Sequence, residues 1–342
     1  MTSLKSFSRR SFLVMPLAFA ACRSNKQVID IKGQSMGTTY NVVAIDHSNK
    51  LKESDVKTAI SEALATVNAS MSNWDQTSEI SRINAEKTDR MTTLSPELAQ
   101  VMEAAAFVNQ ASGGRFDTTV GPLIELWGFG APGAQSMPSE GAVADARAKS
   151  GHENTLRIGA GTLQKTQADA QIYLAAIGKG YGADHVGRAL EQLGVNDYLV
   201  EIGGDLYAAG RNPDGLPWQI GIEAPNAADR GVLGVVGLSG LGLASSGDYR
   251  NYFEVDGQRY SHLIDPATGR PVDHKTASAT VLAENAMLAD AWSTAMLILG
   301  RERGLEVAAQ HGIAVQFAER DPSVTALQFK TYASEAFKTL AA

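Results

Sequence analysis

Two polar segments in the last third of the chain carry residues suited to chemistry on a phosphate. The first is a turn, Ser261–Pro271, in which His262 precedes the loop-forming pairs Asp-Pro and Thr-Gly. In the second, Asp290, Ser293 and Thr294 stand at positions i, i+3 and i+4 of a predicted helix, which brings one carboxylate and two hydroxyls to one face. Such oxygen ligands suit Mg²⁺, which completes its shell with water and phosphate oxygens. A base beside such a metal predicts phosphoryl transfer.

Each segment also has a purely structural interpretation. An Asp with Ser and Thr at the start of a helix commonly caps that helix. A single His in a turn is commonly no more than a solvated side chain. The chemical interpretation therefore depends on both segments lying in one short region, and on a third element upstream.

That third element is a run of small residues, Ala175–Gly182, that leads into an amphipathic stretch with Val186, Leu190 and Leu193 at helical spacing. Glycines at a helix entry let backbone N–H groups approach an anion, and Lys179 adds positive charge there. The spacing matches neither a Walker loop nor a dinucleotide fingerprint. Tight packing of a helix on a strand is the alternative explanation.

Together these segments resemble the ApbE family of FAD:protein FMN transferases, from about Met36 to the end of the chain. The similar motifs follow the family's order along the chain. They comprise an opening strand, an aromatic segment, a Phe-Asp block, the Gly-Lys-Gly-Tyr helix, a Gly-Gly-Asp turn, the His turn and the Asp helix: Gly33–Tyr40, Met71–Asn84, Gly114–Leu123, Ala175–His185, Gly203–Asp205, Ser261–Pro271 and Ala289–Thr294.

The resemblance implies that FAD is the substrate and that the FMN part is joined to a Thr or Ser of another protein. His262 would take the proton from that hydroxyl, and AMP would leave. Mg²⁺ would be held by Asp290, Thr294, Ser293 and the main-chain carbonyl of Ala176. The residues implied to line the FAD cleft are Met36, Trp74, Arg115, Phe116, Asp117, Tyr173, Lys179 and Leu263.

Two positions depart from the family pattern. Family members commonly have Asp where this chain has Tyr173, near the adenosine part of FAD, so the contact there differs in chemistry. The loop usually written N-x-G-G-D begins here with Glu201, to which no role is assigned. The family's acceptor pattern is absent, and its nearest stretch, Thr276–Thr280, lacks the Asp and Gly, so self-flavinylation is not expected.

Two other functions remain open from the sequence. Water acting as the nucleophile at the same site would make the protein an FAD pyrophosphatase that releases FMN and AMP. A flavin-binding lipoprotein without chemistry would need His262 and Asp290 for little beyond binding.

The first residues are predicted to be an export signal rather than part of the fold. Residues 1–21 carry a twin-arginine pattern and an apolar run too short to span a bilayer. Cleavage before Cys22, the single cysteine, would give a periplasmic lipoprotein with a lipid anchor, whereas cleavage after Ala18-Phe19-Ala20 would give a freely soluble exported protein. Residues 22–342 are predicted to form a single transferase domain.

Charge argues against nucleic acid as a partner. Loss of residues 1–21 removes Lys5, Arg9 and Arg10 and no acid, so the net charge changes from −7 to −10. Nucleic-acid binding needs concentrated Lys and Arg, which this acidic chain lacks. An acceptor redox protein exposed on the same side of the membrane is the partner that the resemblance implies.

Helices and blocks of adjacent strands predict an α+β fold with a largely antiparallel sheet and flanking helices. A hairpin is expected at Asp256-Gly257. The predicted helices are 53–69, 95–111, 142–149, 180–194 and 286–311. The predicted strands are 39–45, 198–202, 205–209, 218–222, 232–237, 241–245, 252–255 and 278–283.

Overall fold

The computed structural model describes residues 26–130, 137–226, 231–321 and 328–341. The predicted export signal and Cys22 therefore lie outside the described residues. Within the four described ranges, every helix is too short or too polar to span a bilayer.

The strands in these ranges form one large sheet and four small ones. They are β1 Gln27–Ser35, β2 Thr38–Asp46, β3 Met91–Thr93, β4 Leu156–Gly159, β5 Thr162–Lys165, β6 Asp197–Ile202, β7 Asp205–Ala209, β8 Trp218–Glu223, β9 Val232–Leu238, β10 Leu241–Gly247, β11 Tyr252–Val255, β12 Gln258–Ser261, β13 Ile264–Asp265, β14 Arg270–Pro271, β15 Thr276–Ala283, β16 Ala314–Arg320 and β17 Phe329–Ala333.

The large sheet has the strand order β1-β2-β6-β7-β10-β15-β16-β17, and every neighbouring pair is antiparallel. Its inner strand β15 is built from small and β-branched residues with one Leu, and it is buried along almost its whole length. The small sheets are β3-β5-β4, β8-β9, β11-β12 and β13-β14. The β11-β12 sheet leads into the predicted catalytic turn Ser261–Pro271, and the β13-β14 sheet lies within it.

The helices flank this sheet. They are α1 Glu53–Met71, α2 Glu79–Ala85, α3 Pro96–Ala111, α4 Gly121–Leu126, α5 Glu140–Ala148, α6 His152–Thr155, α7 Gly178–Gln192, α8 Ala286–His311 and α9 Glu335–Leu340. Several begin at a Ser or Asn whose side chain accepts a hydrogen bond from the first turn, which satisfies one of the free N–H groups there: Ser78, Ser95, Ser139, Asn285 and Ser334.

The main apolar core lies between the sheet and the helices α3, α7 and α8. Leu98, Val101, Met102 and Ala105 of α3 recur at helical spacing and are fully buried against α8. A second cluster packs α1 and α7 on the strands β1, β2 and β6. As a result, α7 and α8 are held side by side across the sheet.

The α+β fold with a largely antiparallel sheet is confirmed, and each predicted helix and strand is present. The hairpin turn at Asp256-Gly257 has positive φ at both residues, as expected. The prediction of one opening strand over Gly33–Tyr40 was wrong, because β1 and β2 form a hairpin that turns at Met36-Gly37. Its two positive φ angles, 53° and 72°, show that Met36 occupies the turn.

Candidate functional site

The close crossing of α7 and α8 positions the acidic end of the site. A Cβ added to Gly180 would lie 2.1 Å from the carbonyl oxygen of Ala286, so only glycine allows this approach. The Asp184 carboxylate accepts hydrogen bonds from the N–H groups of Ala286 (2.8 Å) and Met287 (2.9 Å) at the start of α8. Burial raises the pKa of Asp184 to about 6, although these two hydrogen bonds oppose the rise. Asp290 follows one turn later, facing α7.

Asp290 of α8 belongs to a buried ion cluster. Its other members are Lys179 of α7 and Asp205 of β7. Lys179 Nζ contacts Asp205 Oδ2 and lies 3.5 Å from Asp290 Oδ2. Burial and the nearby Asp290 raise the pKa of Asp205 to about 8, while Lys179 opposes that rise. Burial alone would lower the pKa of Lys179, but the two carboxylates hold it above its usual value. The ammonium group is therefore charged.

The first turn of α7 places one of its free N–H groups on Asp290. Because α7 begins at Gly178, the N–H of Gly180 is among the first four of the helix, which have no acceptor within it. It donates to Asp290 Oδ2 at 3.1 Å. Ala176, whose main-chain carbonyl is a predicted metal ligand, lies two residues before the start of this helix.

The two predicted hydroxyl ligands meet a third hydroxyl from the sheet. Ser246, near the end of β10, has its Oγ 2.9 Å from Ser293 Oγ and 3.1 Å from Thr294 Oγ1. The Ser293 hydroxyl also donates to the carbonyl oxygen of Asp290 at 2.9 Å. These hydroxyls are one helical turn from the Asp290 carboxylate.

This donor set fits a hard divalent cation. It consists of one carboxylate, several hydroxyls and a main-chain carbonyl, all oxygen ligands of the kind that Mg²⁺ binds. In the described part of the chain, no group of three or more His, Cys, Asp or Glu side chains forms a metal-binding cluster. Water and substrate oxygens would complete the shell, as is usual for Mg²⁺.

His262 follows β12 and is only partly exposed. Its Nδ1 lies 3.2 Å from the carbonyl oxygen of Asn251, and its main-chain N–H donates to the same oxygen at 3.1 Å. Because a carbonyl oxygen can only accept, Nδ1 carries the hydrogen and Nε2 is left to accept a proton. Burial lowers the pKa of His262. The hydrogen bond to Asn251 and the negative charge of Asp248 offset only part of this decrease, so the imidazole is neutral at pH 7.

The end of β10 connects the metal ligands to this base. Ser246 contacts Ser293 and Thr294, and Asp248, two residues later, interacts electrostatically with His262. Two residues of extended chain span about 7 Å. Asp248 is itself held by both guanidinium nitrogens of Arg320, with one contact of 2.8 Å. The proposed base and the metal ligands therefore face the same end of the sheet.

Met36 lies against the first turns of α7, the helix that carries Lys179. A Cβ on Gly182 would lie 2.9 Å from Met36 Sδ, so the glycine leaves space for this side chain. A positive φ is uncommon for a residue with a side chain, and such backbone strain clusters at functional sites. The hairpin turn thus places Met36 near the cluster that contains Lys179.

Trp74 is the most exposed large apolar side chain of the described residues, at 81%. The adjacent Asn73 donates to the carbonyl of Ile172 (2.7 Å) and accepts from the N–H of Leu174 (3.1 Å). Asn84 makes two further hydrogen bonds to Ile172, of 2.9 and 2.8 Å. These amides fix the segment that carries Tyr173 and keep Trp74 next to it.

Tyr173 is positioned by a glycine and a carboxylate. A Cβ on Gly121 would lie 1.9 Å from the Tyr173 ring, and the phenol donates to Glu125 Oε1 at 2.8 Å. Its N–H donates to the carbonyl of Thr118, also at 2.8 Å. Burial and Glu125 raise the pKa of Tyr173 to about 12. The hydroxyl is therefore already used within the protein, which leaves the ring as the group that can contact a ligand.

Arg115 and Leu263 join the Phe-Asp block to the His turn. The guanidinium Nε of Arg115 lies 3.4 Å from Asp265 Oδ1. Leu263 is buried in the main core directly after His262. The indole N–H of Trp127 donates to the carbonyl of Gly269 at 2.8 Å, which fixes the far end of the same turn.

Phe116 and Asp117 do not present their side chains to a cleft. Phe116 is 1% exposed and belongs to the main core. Asp117 Oδ1 accepts from the N–H (2.7 Å) and hydroxyl (2.6 Å) of Thr119, and its Oδ2 accepts from the N–H of His152. Both residues shape the turn that supports Tyr173, and a direct FAD contact by either side chain would need this packing to open.

Three polar residues of the site were not assigned a role from the sequence. Asp205 was visible within the Gly-Gly-Asp turn, but nothing in that turn indicated an ion pair with Lys179. Ser246 lies in a Ser-Ser-Gly-Asp stretch with no distinctive spacing. Asp184 caps a helix that begins about 100 residues later, a contact that exists only in the folded chain.

Comparison with known proteins identifies relatives of this chain by sequence and by fold. The sequence profile of the ApbE family matches residues 36–317. The FAD:protein FMN transferase of Haemophilus influenzae is 40% identical over 96% of both chains, and that of Escherichia coli is 35% identical over 98% of this chain and 97% of its own. The flavin transferase ApbE from Vibrio cholerae, a solved structure, has a TM-score of 0.84 and 36% identity, covering 92% of this chain and 99% of its own. The chain belongs to the ApbE family of flavin transferases.

Proposed function

We propose that this protein is a Mg²⁺-dependent FAD:protein FMN transferase that joins FMN through a phosphodiester bond to a Thr or Ser of an exported redox protein. One observation carries the proposal. The end of β10 contacts the predicted metal ligands through Ser246, and Asn251, five residues after Ser246, holds the His262 ring through its carbonyl oxygen at 3.2 Å. A base and an oxygen-ligand metal site next to each other are the parts that phosphoryl transfer to a hydroxyl requires.

His262 acts on the acceptor. Its Nδ1–H is held by the Asn251 carbonyl, so Nε2 takes the proton as the Thr or Ser oxygen attacks the phosphorus on the FMN side of FAD. The bond from that phosphorus to the bridging oxygen breaks, and AMP leaves with the electron pair. FMN stays on the acceptor oxygen as a diester. The lowered pKa of His262 keeps the ring unprotonated and ready at neutral pH.

Asp290, Thr294, Ser293 and the Ala176 carbonyl are the residues that would hold Mg²⁺. When bound, the cation supplies charge stabilisation to the phosphoryl oxygens of the substrate. The chain prepares this site through the Gly180 N–H, which orients the Asp290 carboxylate.

The flavin and adenosine parts are bound by groups around the two helices. Met36 lies beside α7, Leu263 follows the catalytic His, and Arg115 reaches the His turn through Asp265. The exposed Trp74 and the ring of Tyr173 are flat apolar surfaces suited to stacking. Lys179 supplies positive charge for the pyrophosphate.

We infer that the protein works outside the cytoplasm, because residues 1–21 carry the export pattern, and Cys22 would add a lipid anchor. An exported enzyme would meet redox subunits that face the same compartment. The expected acceptor is thus a protein.

The test is to produce a candidate exported redox subunit with this protein, without it, and with its His262→Ala variant. Mass spectrometry of the subunit should show FMN on one Thr or Ser only when the unaltered protein is present. Incubation with FAD and Mg²⁺ alone should release little AMP. Rapid release of FMN and AMP without any labelled acceptor would instead identify a pyrophosphatase.

A further inference from the structure

The buried ion cluster contains two carboxylates but a single ammonium group. The side chains of Asp205 and Asp290 are 5% and 4% exposed, and that of Lys179 is 30% exposed. These three side chains carry a formal net charge of −1 when all are ionised. Because a buried unpaired charge is costly, this excess negative charge is balanced either by a proton on Asp205, whose pKa is raised, or by a further cation.

Lys179 stands where that cation would bind. Its Nζ lies 3.5 Å from Asp290 Oδ2, the oxygen that also accepts from the Gly180 N–H. Asp290 is the only carboxylate in the donor set assigned to the metal above. An ammonium group at this distance neutralises the carboxylate and repels a divalent cation, since the repulsion scales with the product of the charges.

We propose that Lys179 is an internal competitor for the divalent metal. This inference rests on the proposed function, in particular on Asp290 as a metal ligand. In the metal-free chain the ammonium group is the counter-ion of Asp290, and it withdraws from Asp290 when the metal binds. Asp205 makes the exchange feasible, because its carboxylate already contacts Nζ and retains the ammonium group after it leaves Asp290.

The same arrangement couples the metal to FAD. The pyrophosphate of FAD is anionic, so it draws the Lys179 ammonium group away from Asp290 and removes the competitor. FAD therefore increases the affinity for the metal, and by thermodynamic linkage the metal increases the affinity for FAD by the same factor. A site built this way binds the metal weakly until its substrate is present.

The test measures Mn²⁺ affinity by electron paramagnetic resonance in the full chain without FAD. The key variant is the double substitution Lys179→Met with Asp205→Asn, which removes one charge of each sign and so keeps the formal charge of the cluster at −1. It should bind Mn²⁺ at least tenfold more tightly than the unaltered protein. The single variant Lys179→Met should bind still more tightly where it folds, as checked by circular dichroism.

Lys165→Met is the matched control, because Lys165 is another buried lysine whose Nζ donates to the carbonyl of Glu86, away from the cluster. Its Mn²⁺ affinity should equal that of the unaltered protein. Saturating FAD should reduce the difference between the double variant and the unaltered protein, since FAD removes the same competitor.

A folded double variant that binds Mn²⁺ no more tightly than the unaltered protein would overturn the competition. Asp290→Asn separates this result from a failure of the proposed function. If Asp290→Asn binds Mn²⁺ as well as the unaltered protein does, the metal site itself is misplaced. If it loses Mn²⁺ while the double variant shows no gain, only the role of Lys179 is refuted.

Discussion

Replacing Gly180 by Ala tests whether the crossing of α7 and α8 builds the site. The added Cβ would lie 2.1 Å from the Ala286 carbonyl oxygen, 2.5 Å from its carbonyl carbon and 2.8 Å from Met287 Cα. These are backbone atoms, so no side-chain rotation relieves the clash and the helices must separate. Overpacking of this kind costs about 1–3 kcal/mol.

Separation of the helices also breaks the hydrogen bond from the Gly180 N–H to Asp290, now 3.1 Å. Hydrogen bonds to charged groups contribute about 1.5–3 kcal/mol. The gain from replacing a helical glycine by alanine, about 0.5–1 kcal/mol, offsets part of this loss. The free energy of unfolding should therefore fall by about 3 kcal/mol, and Tm by roughly 4–5 °C for a chain of this length.

Gly178→Ala is the matched control, two residues earlier in the same helix, where an added Cβ meets no atom within 4 Å. Denaturant unfolding of both variants, together with Mn²⁺ titration, checks the prediction. Gly178→Ala should be as stable as the unaltered protein or slightly more stable, and it should keep its metal affinity. If Gly180→Ala matches it in both measurements, the close crossing does not position Asp290 and this reasoning fails.

Four further outcomes are expected. His262→Ala should keep its FAD affinity, measured by flavin fluorescence, while transfer falls by roughly 10²–10⁴, the usual contribution of a general base; full transfer would exclude His262. Because burial lowers its pKa, transfer by the unaltered protein should fall only as the pH drops below about 6.5, and a midpoint above this value would contradict the assignment. Asp290→Ala should abolish transfer at low millimolar Mg²⁺, whereas Thr294→Ala should reduce it less, since water replaces a neutral hydroxyl; near-normal transfer by Asp290→Ala would refute the metal site. Tyr173→Phe should lower the free energy of unfolding by about 1 kcal/mol through the lost bond to Glu125, with the FAD dissociation constant unchanged, and a large loss of FAD affinity would show that the hydroxyl binds the nucleotide.

Local patterns in the sequence were enough to predict the elements and the chemistry of single helices. The spacing of Asp290, Ser293 and Thr294 fixes which groups share a face, and that holds wherever the helix packs. Apolar patterns likewise predicted a strand at 241–245, which the structure extends to Leu241–Gly247, and the helix Ala286–His311.

Contacts between distant segments were beyond such reasoning. Lys179 was expected to face a phosphate, yet in the folded chain its ammonium group is held by Asp205 and Asp290, which lie 26 and 111 residues away. Phe116 and Asp117 were grouped with the cleft by their motif, but burial directs one into the core and the other into a turn. Sequence spacing specifies a face of an element and leaves its partner undetermined.

The unexpected turn at Met36 has a comparable cause. A strand with alternating residues and a hairpin with a two-residue turn differ only in the backbone angles of that turn. A Met with positive φ gives little warning in the sequence, because the usual signals for such turns are Asn, Asp and Gly. Of the two turn residues, only Gly37 is a type that commonly adopts positive φ.

The central claim is that FMN leaves FAD for a protein hydroxyl. The most direct measurement is the amount of AMP released per FMN bound to purified acceptor, by chromatography and mass spectrometry, with FAD and Mg²⁺ supplied. The predicted result is one AMP released for each FMN attached to a Thr or Ser of the acceptor. The His262→Ala variant should release AMP and attach FMN far more slowly than the unaltered protein. AMP accumulating together with free FMN, while the acceptor stays unmodified, would contradict the account.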